Sequence, residues 1–215
     1  MKIDVVRYIG AVTREVRESE QNGRPARVVV ASRTYDTSIE DLWDAITNPE
    51  RIPRWFLPVT GDLRAGGRYQ LQGNAGGEIT ECAPPRRFSL TWVYAETTSW
   101  VAVTLKEVSK GTRLELEHTT YVDDHWNQFG PGATGVGWDL AITGLGHHLA
   151  TGAAVDPKDA AEWPLSEEGK DFARRSSDDW CRAAIASGTD PAVAKASAAR
   201  TTAFYTGEGE PPAHT

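Results

Sequence analysis

The 215-residue chain is predicted to be an α+β protein in which an antiparallel sheet has one face covered by a long helix near residue 150 and further helices follow. Two observations carry this. From Val59 to Tyr121 apolar residues recur with period two between Gly- and Pro-rich breaks, and from residue 135 to 150 a stripe recurs at helical spacing. Hairpin-length connections make the sheet largely antiparallel, so its apolar face needs a cover.

Composition narrows the function classes. Hydrophobic residues make up 40% and charged residues 25% of the chain, close to the average of globular domains. The eight tryptophans are unusual, and each brings a large apolar area with one N–H that needs a partner, which points to a deep core or a lined cavity. With 23 basic against 30 acidic residues the net charge is -7, which disfavours nucleic acid and anionic membranes as partners. The two cysteines, Cys82 and Cys181, form no disulfide framework. The start, MKIDVVRYIG, has no continuous apolar stretch, and no run is long enough to cross a bilayer. A reducing cytoplasm is the expected location.

In chain order, Val5, Ile9, Val12 and Val16 match a helical stripe, while VTREVRE also tolerates a strand. Asn22-Gly23 favours the strand, because Asn-Gly accepts positive φ at both turn positions and would join it to RVVVASRTY in a hairpin. In IEDLWDAIT, Ile39, Leu42, Trp43 and Ile46 repeat at three and four residues behind an N-capping Ser38, and the helix stops at Asn48-Pro49. A helical turn, PERIPRWF, carries Trp55 and Phe56. The strands are GRYQLQ, GEITEC, RFSLTWV, SWVAVTLKEV and TRLELEHTTY. Val101, Val103 and Leu105 share a face, as do Leu114, Leu116 and His118, with Glu115 and Glu117 opposite. The covering helix, GVGWDLAITGLGHHLA, aligns Trp138, Ile142, Leu145 and Leu149. Its Gly144 and Gly146 each cost about 1 kcal/mol of helix propensity, which suggests a close approach such as a cavity wall.

The expected division is a sheet-and-helix domain over residues 1–150 and a helical extension over 151–215 packed on it or on a second copy. SEEGKDFARRSSDDWCRAAIASG and PAVAKASAARTTAFYTG read as two helices parted by Gly188, with Asp190-Pro191 as cap and first turn; the final GEGEPPAHT is polar and expected to fray. Too few large apolar residues occur there for an independent core, so the extension must dock.

DLWDAITNPERIPRWFLPV, GDLRAGGRYQL, CAPPRRFSLTW, GTRLELEH and GVGWDLAITGLGHHL occur in an order and spacing that resemble the activator of heat-shock-protein-90 ATPase homologue-like branch of the START and polyketide cyclase superfamily, over about residues 26–150. The resemblance implies a helix-grip fold: a curved sheet gripping the C-terminal helix, with a cavity that in relatives holds lipids, hormones or polyketides. It carries over no catalytic motif. The tail and the N-terminal segment resemble extensions of actinobacterial members.

Several constellations invite chemistry. GPGATG, at 130–135, is literally G-x-G-x-x-G, but no strand feeds it within a parallel βαβ unit, so it reads as a lead-in to the helix. His118, on an apolar face, could act as a base or orient a ligand, against the commoner buried histidine that is simply hydrogen-bonded. TYVDDHWNQFG, with His147 and His148, offers metal donors at spacings that do not form a site, so no metal and no cofactor is expected and a loop gate at 122–134 is the better reading. If Ile79 points inward Glu81 does too, and would be either ion-paired with an arginine such as Arg33 or Arg68, or functional. Trp55, Phe56, Tyr69, Trp100, His118, Phe129, Trp138 and Ile142 are the expected ligand-lining residues, with Trp92 assigned to the core. No G-x-S-x-G elbow, Cys-His pair or P-loop occurs. The leading function is binding of a small, mostly apolar molecule. The alternatives are a co-chaperone acting on a heat-shock ATPase, and a cyclase- or aromatase-like enzyme using His118 and Glu81. A homodimer through the tail is a further expectation.

Overall fold

The computed structural model describes residues 4–208. The frayed end expected at GEGEPPAHT lies, but for Gly207 and Glu208, outside the described residues. Eight strands form one sheet in the order β1-β2-β8-β7-β6-β5-β4-β3. They are β1 (Thr13–Gln21), β2 (Arg24–Tyr35), β3 (Val59–Gly61), β4 (Arg68–Leu71), β5 (Gly76–Ala83), β6 (Arg87–Tyr94), β7 (Thr97–Val108) and β8 (Gly111–Tyr121). The helices are α1 (Val5–Gly10), α2 (Ile39–Thr47), α3 (Asp124–Phe129), α4 (Gly132–Thr151), α5 (Pro157–Glu162), α6 (Glu167–Ala186) and α7 (Pro191–Thr206).

The ambiguous N-terminus is both things in turn, the short helix α1 and then β1. The Asn-Gly hairpin is present: Asn22 has φ 51° and Gly23 φ 72°, the two positive angles that a tight β-hairpin turn requires. Ser38 caps α2 by accepting from the Asp41 N–H at 3.2 Å.

Contacts divide the chain into two compact units that are not simply its two ends. Among the described residues, one comprises 4–31, 121–140 and 156–208, and the other comprises 32–120 and 141–155. The second contains the core of the sheet. Its strands β3 to β8 pair antiparallel in sequence, and the register sets Leu90 opposite Val101, Trp92 opposite Ser99, Val103 opposite Leu116 and Val101 opposite His118. These side chains share the inner face. Trp43 of α2 meets Phe88 of β6 edge-on, and Tyr35 donates to the Ile142 carbonyl of α4 at 3.0 Å. The α4 glycines serve close packing in this unit. A Cβ at Gly144 would stand 2.7 Å from the Trp55 carbonyl oxygen, and one at Gly146 would stand 2.8 Å from the Arg33 guanidinium.

The first unit is helical around β1. Val5 and Ile9 of α1 pack with Trp163 and Phe172, and α6 lies on β1. Arg14 of β1 is its polar hub, donating to Asp139 at 2.9 Å and to Asp179 at 2.8 Å. The Asp139 side chain is fully buried and also accepts from Ser176 and Trp180. Burial pushes the Asp139 carboxyl upward in pKa, and Arg14, Ser176 and Trp180 oppose that shift. Gly135 faces the Trp180 indole so closely that a Cβ there would stand 2.2 Å from the ring.

Residues 122–134, expected as a loop gate, are mostly helical here. Asp123 caps α3 by accepting from the Trp126 N–H at 2.8 Å. The carbonyls around the α3–α4 junction are then taken up by α7: Arg200 donates to Gln128 at 2.6 Å, Thr201 to Phe129 at 3.0 Å and Tyr205 to Ala133 at 2.9 Å. The C-terminus of a helix leaves its last carbonyls unsatisfied, and α7 takes up two of them at the end of α3, while Tyr205 adds a bond to Ala133 in the first turn of α4.

Candidate ligand-binding face

The inner face of the second unit is built by period-two alternation on β4 to β8. Tyr69, Leu71 and Ile79 form a buried cluster, with Phe56, Leu57, Val59, Leu63, Cys82, Leu90 and Trp92 packed around it and only partly buried. Gly77 stands directly opposite Tyr69 and leaves room for the tyrosine to reach over β5, where its hydroxyl donates to the Thr91 carbonyl at 2.9 Å. Burial raises the Tyr69 pKa well above the usual phenol value, so the ring stays neutral.

The polar centre of this face is His118, which is 6% exposed. Its Nε2 lies 2.8 Å from the Ser99 hydroxyl, and that hydroxyl donates to the Trp92 carbonyl at 3.2 Å. A hydroxyl has one proton to give. With that proton on the carbonyl, Ser99 accepts from Nε2–H, which places the imidazole proton on Nε2. The Trp92 ring lies 6.0 Å from the imidazole centroid. Desolvation lowers the His118 pKa to about 4, so the ring is neutral at physiological pH. So acidic a histidine is a weak general base near neutrality, and the arrangement suits orienting a polar group better than taking up a proton.

Glu81 does not join it. The β5–β6 register shifts between Ile79 and Glu81, and such a bulge breaks the alternation on which the inward placement depended. The Glu81 side chain is 48% exposed and pairs with Arg87 at 3.0 Å, not with Arg33 or Arg68. That pairing, helped by Ser89, holds its carboxyl below the usual range.

Trp100 is also turned away. It pairs in register with Thr91 and Thr119, one residue out of phase with Val101 and His118, so it lies on the outer face. Trp55 is used structurally: its indole N–H donates to the Ala45 carbonyl at 2.8 Å and its ring stacks on Phe56. Ile142 is buried in the same unit as His118. Phe129 and Trp138 belong to the other unit, where Phe129 packs on Phe204 with ring centroids 6.2 Å apart.

Ser99 is not singled out by the sequence, and Trp92 packs on the core cluster as expected while its ring also neighbours His118. Both stand in phase with Val101 on their strands, which is the signal that could have found them. Among the described residues no group of three or more His, Cys, Asp and Glu side chains could hold a metal ion. His148 is instead hydrogen-bonded to the Ala153 carbonyl and to Arg51. In GPGATG, Gly130 ends α3 and the remaining residues pass into the first turn of α4. Among the described residues no helix is long and apolar enough to cross a membrane.

An eight-stranded sheet with a long helix following its last strand defines the α+β helix-grip class. Residues 36–150 match the model of the family described as activator of Hsp90 ATPase homolog 1-like protein, and the chain belongs to that family. The crystal structure of CalU16 from Micromonospora echinospora is similar at 33% identity, covering 81% of this chain and 99% of that one with a TM-score of 0.67. Its solution structure covers 83% and 97%, with a TM-score of 0.71. That coverage exceeds the family segment, so the likeness takes in part of the chain outside residues 36–150. MLL2253 from Mesorhizobium loti is 25% identical over 58% of this chain and 97% of its own, with a TM-score of 0.52. DynU16, described as a protein in the dynemicin biosynthetic locus, shares the fold at 19% identity and a TM-score of 0.53, over 59% of this chain and 48% of its own. No curated protein matches the chain.

Proposed function

We propose that the chain binds a small, mostly apolar molecule against the inner face of the sheet, with His118 as the polar anchor. The observation that carries this reading is a set of partly buried apolar side chains, Phe56, Leu90 and Trp92 among them, gathered near one buried, neutral, hydrogen-bonded imidazole. Apolar area of that kind stabilises a ligand at roughly 25 cal/mol per Å² removed from water, and a single polar contact sets its orientation. Catalysis of the cyclase kind would need a second proton-carrying group beside His118; the Ser99 hydroxyl there donates to the Trp92 carbonyl, and Glu81, the carboxylate assigned to that role, lies outside with Arg87.

Titration with Nile red tests the reading. Saturable fluorescence with a Kd of roughly micromolar order is expected from the folded protein, whereas a weak, non-saturating signal would remove its basis. A heat-shock ATPase as partner is the second reading, and the family match over residues 36–150 favours it. A rise in the ATPase rate of Hsp90 on adding this chain is its signature, and ligand binding alone expects none.

A further inference from the structure

We propose a second small-molecule site, independent of the inner face: a trough on the outer face of β3 to β6 that binds a planar monocarboxylate through Arg68. The trough has a volume of about 340 Å³ and is lined by Thr60, Arg68, Gln70 and Val93 and by the chain at Gly61, Tyr69, Gly76 and Gly77. That volume lies at the lower end of the range of small-ligand pockets, roughly 300–1,000 Å³.

The register sets the walls of the trough. Thr60, Gln70, Gly76 and Val93 stand opposite one another in a single row across four strands, and the row lacks a side chain at Gly76. Gln70 forms one wall. Its amide donates to the carbonyls of Leu71 and Asn74, both at 2.8 Å, which holds the flat carboxamide over Gly76, where a Cβ would collide with its oxygen. Val93, 39% exposed, supplies an apolar wall opposite.

Arg68 is the only charged group of the lining. Glu78 stands directly across the strand pair from it, yet Arg68 makes no ion pair among the described residues and lines the trough instead. A guanidinium presents a planar fork that matches a carboxylate with two parallel hydrogen bonds. One cation with a glutamate as neighbour favours a single negative charge over a dianion such as phosphate. The glycine floor and the flat Gln70 wall suit a planar body.

The test is a ¹H–¹⁵N NMR titration of the full chain with sodium benzoate at constant ionic strength, with neutral benzamide as control. Saturable shifts of the Gly61, Gly76, Gly77 and Val93 amides are expected, weakened at least about ten-fold with benzamide and with Arg68→Gln, which corresponds to a guanidinium–carboxylate contact of about 1.4 kcal/mol. Arg68 is exposed, so the variant should keep the dispersed spectrum of the folded protein. Absence of saturation, equal binding by Arg68→Gln, equal binding of benzamide, or shifts confined to Trp92, Ser99 and His118 would each overturn the proposal. The last outcome would assign benzoate to the inner face, so failure here leaves the Nile red result untouched.

Discussion

His118 shows how far a single residue can be read. Its place on an apolar face follows from alternation with Leu114 and Leu116, and it is buried. Its partner, Ser99, depends on pairing with a strand whose register no local pattern states. The burial has a measurable consequence. The folded-state pKa, about 4, is below the ordinary value of 6.5, so the folded chain sheds a proton that the unfolded chain keeps. The resulting stability is fully present above pH 6.5 and is lost as pH falls toward 4, by at most on the order of 3 kcal/mol. Urea unfolding from pH 7 down to pH 4.5 should therefore show the wild type losing stability relative to His118→Gln, which cannot titrate. Parallel profiles for the two proteins would mean that the imidazole is hydrated or already paired as a cation. Glu81 marks the other limit. Period-two counting carries Ile79 inward and Glu81 with it, and one bulge between them reverses the second.

The elements were more legible than their partners. Ser38, the Asn-Gly turn and the Gly- and Pro-rich breaks mark starts and stops because each is a local backbone requirement, met within three or four residues. Gly144 and Gly146 announce a close approach, but not that the Trp55 carbonyl and the Arg33 guanidinium make it. The few large apolar residues of the tail predict that it docks, because they cannot form a core alone; that α7 would take up carbonyls at the α3–α4 junction has no signature in Arg200, Thr201 or Tyr205 taken singly. A chain ending at Gly152 would uncover Val5 and Ile9, which pack on Trp163 and Phe172, and would leave those carbonyls without side-chain partners. It should aggregate or melt several degrees below the full chain by calorimetry. An unchanged melting temperature and solubility would make the tail a tethered appendage.

At the scale of the whole molecule, the α+β class and the helix-grip resemblance followed from the order of elements, which the strand order and the match over residues 36–150 bear out. The site is less uniform. Of the expected lining, Phe56, Tyr69 and His118 share the inner face, Trp100 faces the other way, and Phe129 and Trp138 fall in the helical unit. An aromatic stripe does not say which ring a neighbouring helix will claim for its own core. If a ligand binds on the inner face of β4 to β8, that face must respond to an apolar probe. The most direct measurement is a ¹H–¹⁵N NMR titration with Nile red. Saturable shifts concentrated at Leu90, Trp92, Ser99, Val101 and His118 are expected, and shifts scattered over the outer-face positions Trp100, Ala102 and Thr119, or none at a saturating probe concentration, would contradict binding at the inner face.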